Sequence, residues 1–79
     1  MTHPERVLHG LGQALQEARD GRGLTQEALS LETGVHRNYI GGIERGERSP
    51  SVLTVAKLAA ALDTPLSRLF SKAEEITSE

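Results

Sequence analysis

The chain has 79 residues, a formal net charge of -2 and no cysteine. Its length predicts a single small domain, and the lack of cysteine excludes disulfides and thiolate zinc sites. A domain of this size without such links usually needs a partner subunit, so self-association is expected. The slightly acidic balance does not favour a polyanion partner, although net charge says little about any one face.

Several function classes lack support in the sequence. No apolar run approaches the ~18 residues of a membrane span, and the N-terminus lacks the charged-then-apolar pattern of a signal peptide, so a cytoplasmic protein without a membrane partner is expected. His3, His9 and His36 lack carboxylates at ligand spacing, which predicts no metal and no cofactor. No nucleophile, base and metal occur together, so the protein is not expected to be an enzyme.

The first two helices are predicted from spacing and caps. Apolar residues recur at three- and four-residue steps at Leu8, Leu11, Leu15 and Ala18. This spacing predicts a helix from about Pro4 to Asp20. Thr25 is a predicted cap for a second helix over "QEALSLET", and Gly34 can supply the left-handed residue that ends it.

The segment "RNYIGGIERGE", from Arg37 to Glu47, allows two interpretations. Its Gly-Gly pair is typical of a hairpin, whereas a helix would carry both glycines at a cost of about 1 kcal/mol each. A lone hairpin among helices would be marginal in water, so the helix is favoured. The helical interpretation places Ile40 and Ile43 on one face, and it predicts a helix-turn-helix motif at about residues 25–45.

Two more helices complete the predicted fold. The Ser49-Pro50-Ser51 turn precedes an apolar stripe made of Val52, Val55, Leu58, Ala59 and Leu62. Thr64 is the predicted cap, and Pro65 the first-turn residue, of a last helix at about residues 65–76. The expected fold class is all-α: five compact helices in one domain, residues 1–79, with a central helix-turn-helix.

The stretch from Leu24 to Phe70 resembles the lambda-repressor-like helix-turn-helix family, also called the Cro/C1 or XRE family. The resemblance rests on "LTQEALS", Gly34, "YIGGIERG", the Ser-Pro-Ser turn and the terminal "LF". It implies a transcription regulator that binds double-stranded DNA in a sequence-specific way. Within the family, "HRNYIGGIERGER" is similar to controller proteins of restriction-modification systems, which are small homodimers on palindromic operators.

A helix-turn-helix reads base edges with residues near the N-terminus of its second helix. Arg37 and Asn38 hold those positions, and Arg pairs well with guanine and Asn with adenine. Gly41 and Gly42 lie one turn further on. We expect both glycines to face the groove, where the absence of side chains would let the helix sit deep.

The remaining candidate residues are assigned to the DNA backbone or to structure. Gln26 opens the supporting helix, whose free N–H groups attract anions, and the resemblance implies that its side chain grips a phosphate. The expected backbone contacts are Thr25, Gln26, His36, Tyr39, Arg45, Arg48 and Ser49. The resemblance also implies a structural ion pair between Arg19 and Glu44, which would hold Glu44 back from the phosphates.

A homodimer is expected because one helix-turn-helix reads only a few base pairs, so specificity needs two copies roughly 34 Å apart. Candidate interface residues are Leu66, Phe70, Ala73 and Ile76, which could build the core, the dimer contact or both. Leu53, which lies off the main stripe of its helix, is a further candidate for the contact. RNA polymerase is a further candidate partner. The alternative is an antitoxin-type or a phage- or plasmid-type regulator whose main partner is another protein.

Overall fold

The computed structural model describes residues 3–77, which form five helices. They are α1 (His3–Gly21), α2 (Gln26–Thr33), α3 (Arg37–Glu44), α4 (Val52–Ala61) and α5 (Leu66–Thr77). The described residues contain no strand, which confirms the all-α prediction and removes the hairpin interpretation of the Gly-Gly segment. The ends of the predicted domain, residues 1–2 and 78–79, lie outside the described residues.

Local side-chain bonds define where the short helices begin and end. The hydroxyls of Thr25 and Ser51 each accept a hydrogen bond from the N–H three residues along, at 3.0 and 3.1 Å. Gly34 ends α2 with a φ of 77°, which glycine adopts without strain. Thr64 does not act as the predicted cap: within residues 3–77 no backbone N–H of α5 donates to its hydroxyl oxygen, and the hydroxyl itself donates to the Leu62 carbonyl at 3.1 Å.

All five helices contribute to one apolar core. Its buried side chains are Leu11, Ala14, Leu15, Leu29, Ile40, Ile43, Val55, Leu58, Ala59, Leu62, Leu69 and Ala73. Most of the predicted apolar stripes therefore point inward, as helical periodicity requires. Val52 is an exception: it is 73% exposed at the first position of α4, where the stripe predicted a buried residue.

Two glycines let α1 approach its neighbours at backbone distance. A Cβ atom on Gly10 would lie 2.6 Å from the Ala73 carbonyl oxygen of α5, and one on Gly12 would overlap the Ile43 carbonyl oxygen of α3. Helix α1 therefore packs directly on the main chains of α3 and α5. Ala73 is completely buried at this contact. Its predicted place in a dimer interface is wrong, since no surface remains for a partner to cover.

Candidate nucleic-acid interface

Helices α2 and α3 form the predicted helix-turn-helix, with residues 34–36 as the turn. Leu29 of α2 and Ile40 of α3 are both buried in the common core, at 2% and 1% exposure. Their burial holds the two helices against each other, while Arg37 and Asn38 in the first turn of α3 stay exposed. The start of α3 is therefore presented on a rigid support.

His36 caps α3 with its imidazole ring. Its Nδ1 accepts a hydrogen bond from the Asn38 backbone N–H at 3.1 Å. Because Nδ1 is the acceptor, the neutral ring carries its hydrogen on Nε2. This cap was not predicted from the sequence, since histidine is not among the preferred capping residues.

Arg37 and Asn38 form the first turn of α3 directly after this cap. Both side chains are exposed, and neither forms a hydrogen bond or an ion pair with another part of residues 3–77. Their donors and acceptors are thus available to a ligand. This is the arrangement that direct contact with base edges needs.

A buried ion pair ties the end of α3 to α1. Arg19 Nε donates to Glu44 Oε2 at 2.7 Å and Arg19 Nη2 to Glu44 Oε1 at 3.0 Å, which makes the pair bidentate. Arg19 Nη1 also donates to the Leu24 carbonyl at 2.6 Å. The hydrogen bond with Glu44 raises the pKa of the Arg19 guanidinium above its ordinary value, against the opposing effect of burial. Both the ion pair and the ordinary basicity of arginine therefore favour the charged form of Arg19.

Gln26 joins the same network. Its Nε2 donates to Glu44 Oε1 at 3.0 Å, so one of its two amide hydrogens is already engaged within the protein. For a phosphate it offers the second amide hydrogen and its backbone N–H at the start of α2. Thr25 is similarly shared: its oxygen accepts the capping bond, while its O–H can still donate.

The two glycines of α3 do not face an open groove. Both are buried. A Cβ atom on Gly41 would lie 3.0 Å from Arg45 Nη1 and 3.3 Å from Gln26 Oε1, and one on Gly42 would lie 2.5 Å from Arg48 Cγ. The prediction that they belong to a bare base-reading face is wrong, because side chains of the same chain cover them.

The residues after α3 add positive charge to its surface. The guanidinium carbon of Arg48 lies 5.9 Å from the centroid of the half-buried Tyr39 ring, within the range of a cation–π contact. Arg45 Nε pairs with Glu47 Oε1 at 3.1 Å, with both side chains about 60% exposed. Such an exposed pair is weak and exchanges readily, so it does not withdraw Arg45 from a ligand. Ser49 is exposed next to Arg48.

A second surface is apolar. Val52 and Phe70 line a groove of about 430 Å³ between α1, α4 and α5, and Phe70 is 37% exposed. Leu53, next to Val52, is 66% exposed. Leu66 and Ile76, also predicted at a dimer interface, are only half-buried, and Leu66 packs against the core. Val52 is a further candidate for the dimer interface, although helical periodicity placed it on the apolar stripe of α4.

The described part of the chain has neither a metal site nor a membrane span. Within residues 3–77, no three His, Asp or Glu side chains come close enough together to hold a metal ion. None of the helices in that range combines the length and the apolar character needed to cross a bilayer.

The sequence matches a known family over most of its length. The model of the family described as Helix-turn-helix, HTH_3, matches residues 15–69. This range contains α2, α3 and α4 completely. It therefore includes the helix-turn-helix and the arginines that follow it.

Individual relatives agree with the family match. The chain is 36% identical to the HTH-type transcriptional regulator SutR of Escherichia coli over 73 residues, which cover 92% of this chain and 41% of SutR. It thus spans less than half the length of SutR. It is 37% identical to control protein C.SmaI of Serratia marcescens over 62 residues, covering 78% of this chain and 74% of that protein.

The fold agrees with a solved structure. The restriction-modification controller protein C.AhdI from Aeromonas hydrophila matches with a TM-score of 0.76 at 45% sequence identity. The match covers 78% of this chain and 94% of C.AhdI.

Proposed function

The chain belongs to the helix-turn-helix family, and from this we propose that it is a transcription regulator that binds a palindromic site in double-stranded DNA as a homodimer. The observation that carries the proposal is the start of α3. Arg37 and Asn38 are exposed there and their side chains bond to no other group within residues 3–77, while the Arg19–Glu44 pair holds the other end of the same helix. A rigid helix with free donors at its N-terminus is suited to the major groove.

Base reading is assigned to Arg37 and Asn38. The guanidinium of Arg37 can donate two hydrogen bonds to guanine O6 and N7, and the amide of Asn38 can both donate to and accept from adenine. Gly41 and Gly42 have no part in this contact, because they lie beneath other side chains.

Contacts to phosphates are assigned to groups on both sides of that helix. The N-terminus of α2 offers the Gln26 backbone N–H and the Thr25 hydroxyl, and a helix N-terminus attracts anions. The other proposed contributors are His36, Tyr39, Arg45, Arg48 and Ser49. These positive and polar groups explain how a chain of net charge -2 could bind a polyanion, since its local surface decides the interaction.

Dimerisation is assigned to the apolar surface formed by Val52, Leu53 and Phe70. Val52 and Phe70 line one groove, and Leu53 follows Val52 in α4. The three residues are 73%, 37% and 66% exposed, and exposed apolar patches mark interaction sites. Covering them with a second copy would remove them from water, and it would bring two recognition helices into one complex.

The finer role that we propose is control of a restriction-modification system. It is supported by the likeness to C.SmaI, a control protein, and to C.AhdI, a restriction-modification controller. RNA polymerase is the proposed protein partner of such a regulator, and the cytoplasm its place of action. An inverted repeat upstream of the gene, with a restriction endonuclease gene beside it, is the expected genomic setting.

The proposed function can be tested by selecting binding sites from random duplex DNA. We expect an inverted repeat whose half-sites are about one helical turn apart, roughly 34 Å, and hydroxyl-radical protection of both halves. Sedimentation at the same protein concentration should show a dimer. Equal affinity for all duplexes, or a monomer at concentrations that saturate the site, would contradict the proposal.

A further inference from the structure

Gly42 lies inside a helix without a conformational reason for being glycine. Its φ is not in the left-handed region, unlike those of Gly23, Gly34 and Gly46. Glycine weakens a helix interior relative to alanine. The space that a side chain would fill must therefore serve another purpose.

The side chain of Arg48 occupies that space. An ideal Cβ on Gly42 would lie 2.5 Å from Arg48 Cγ, 3.5 Å from its Cβ and 3.7 Å from its Cδ. The Gly42 carbonyl also accepts hydrogen bonds from the backbone N–H groups of Glu47 and Arg48, at 2.8 and 3.2 Å. The main chain and the side chain of Arg48 are thus both held at Gly42.

From Gly42 the Arg48 side chain extends across α3 to Tyr39. Tyr39 and Gly42 are three positions apart in α3, which places them on the same side of the helix. The Arg48 guanidinium lies 5.9 Å from the Tyr39 ring centroid. No ion pair joins Arg48 to a carboxylate within residues 3–77, so its charge is not neutralised there.

We propose that Gly42 is a positioning residue that seats the stem of Arg48, so that Arg48 and Tyr39 form one preorganised contact for a DNA phosphate. A guanidinium in cation–π contact with a ring still has N–H groups to donate to phosphate oxygens. Holding it in place before binding reduces the ordering that complex formation requires. The inference rests on the proposed function, because the ligand is the DNA backbone.

The contact between Gly42 and the Arg48 side chain can be tested without DNA in the wild-type protein. Tyr39 is the only tyrosine of the chain, so nuclear Overhauser effects from the Arg48 side chain to tyrosine ring protons report this contact alone. We expect nuclear Overhauser effects from Arg48 Hγ to Gly42 Hα and from Arg48 Hδ to the Tyr39 ring protons. Their absence from the wild-type spectrum would overturn the inference, whether or not any variant folds.

A double-mutant cycle tests the consequence for binding. Gly42→Ala should weaken binding to the selected duplex by about tenfold, the loss expected for one charge-assisted hydrogen bond. It should have no further effect in an Arg48→Ala background, because the contact that it disturbs is then already missing. Gly21→Ala is the matched control, since a Cβ there meets nothing within 4 Å.

Each outcome of the cycle has a separate meaning. Undiminished DNA binding by a folded Gly42→Ala protein would overturn the inference that Gly42 positions Arg48. An equal loss of affinity from Gly42→Ala with and without the Arg48 side chain would overturn it as well. Failure of the wild-type protein to prefer any duplex overturns the proposed function instead, and the spectroscopic test of the contact between Gly42 and Arg48 still stands.

Discussion

Arg19 of α1 and Glu44, the last residue of the recognition helix α3, form a bidentate ion pair with hydrogen bonds of 2.7 and 3.0 Å. The two side chains are only 10% and 4% exposed. The pair connects α1 to the C-terminal end of α3, and through Gln26 it also reaches the start of α2. The orientation of the helix-turn-helix on the rest of the domain therefore depends on a buried charge pair.

Breaking this pair should destabilise the fold strongly. We expect Arg19→Ala to lower the free energy of unfolding by about 3–5 kcal/mol, because it leaves the Glu44 carboxylate buried without its partner. Urea denaturation measures the change. Arg45→Ala is the control, since it breaks an exposed pair worth less than about 1 kcal/mol. Equal effects of the two substitutions would contradict the assignment of Arg19 and Glu44 to a structural role.

The His36 cap predicts a pattern among substitutions at one position. His36→Ala should cost about 1 kcal/mol of unfolding free energy, because the Asn38 N–H loses its acceptor. His36→Ser should restore most of that stability, since serine is a favourable cap. Thermal unfolding of the two variants provides the comparison. A serine variant no more stable than the alanine variant would argue against capping as the role of His36.

Gly12 and Gly21 should respond in opposite directions to the same change. Gly12→Ala should destabilise by about 1–3 kcal/mol or more, because the new Cβ would overlap the Ile43 carbonyl oxygen of α3. Gly21→Ala should be neutral or stabilising by up to about 1 kcal/mol, since its Cβ enters open space. Chemical denaturation distinguishes them. A tolerated Gly12→Ala would mean that α1 and α3 are not packed at backbone distance.

Arg37→Ala tests base reading directly. The substitution should cost about 1–3 kcal/mol on the preferred operator and should relax sequence preference at the base that Arg37 contacts. Competition binding with single-base variants of the selected site measures both effects. Arg68→Ala, which removes the same charge from the exposed surface of α5, is the control. An unchanged sequence preference would exclude Arg37 as a base-reading residue.

A contact between the supporting helix α2 and the DNA backbone should change binding in a different way. Gln26→Ala should weaken binding to all duplexes by a similar factor, because a phosphate contact carries no sequence information. Titrations with the preferred site and with an unrelated duplex measure the two losses. A loss confined to the preferred site would assign Gln26 to base reading.

The apolar groove predicts which residues would hold the proposed dimer together. Val52→Asp should shift the protein towards monomer, because it places a charge among apolar groups that a second copy would cover. Leu31→Asp is the matched control: Leu31 is 83% exposed on α2 and is assigned to no interface. Sedimentation velocity at several concentrations follows the equilibrium. Dimers that persist in Val52→Asp but dissociate in Leu31→Asp would move the interface to α2.

The sequence by itself determined the features that depend on near neighbours along the chain. Helical periodicity predicted α1, α4 and α5, the residues at its two ends predicted α2, and the helical surroundings favoured a helix at α3. The caps at Thr25 and Ser51 and the left-handed Gly34 are set by residues within one turn. The order and lengths of the predicted helices were sufficient to predict the helix-turn-helix motif. From it followed the location of Arg37 and Asn38 at the start of the recognition helix.

Only the tertiary structure decided what covers each residue. Gly42 was expected to be bare, yet Arg48 lies across it; Ala73 was expected at a dimer interface, yet α1 buries it; and Val52 was expected inside, yet it is exposed. Periodicity states which residues share a face of one helix, but not how close another helix comes to that face. The approach is set by packing between segments far apart in sequence, which a local pattern does not encode.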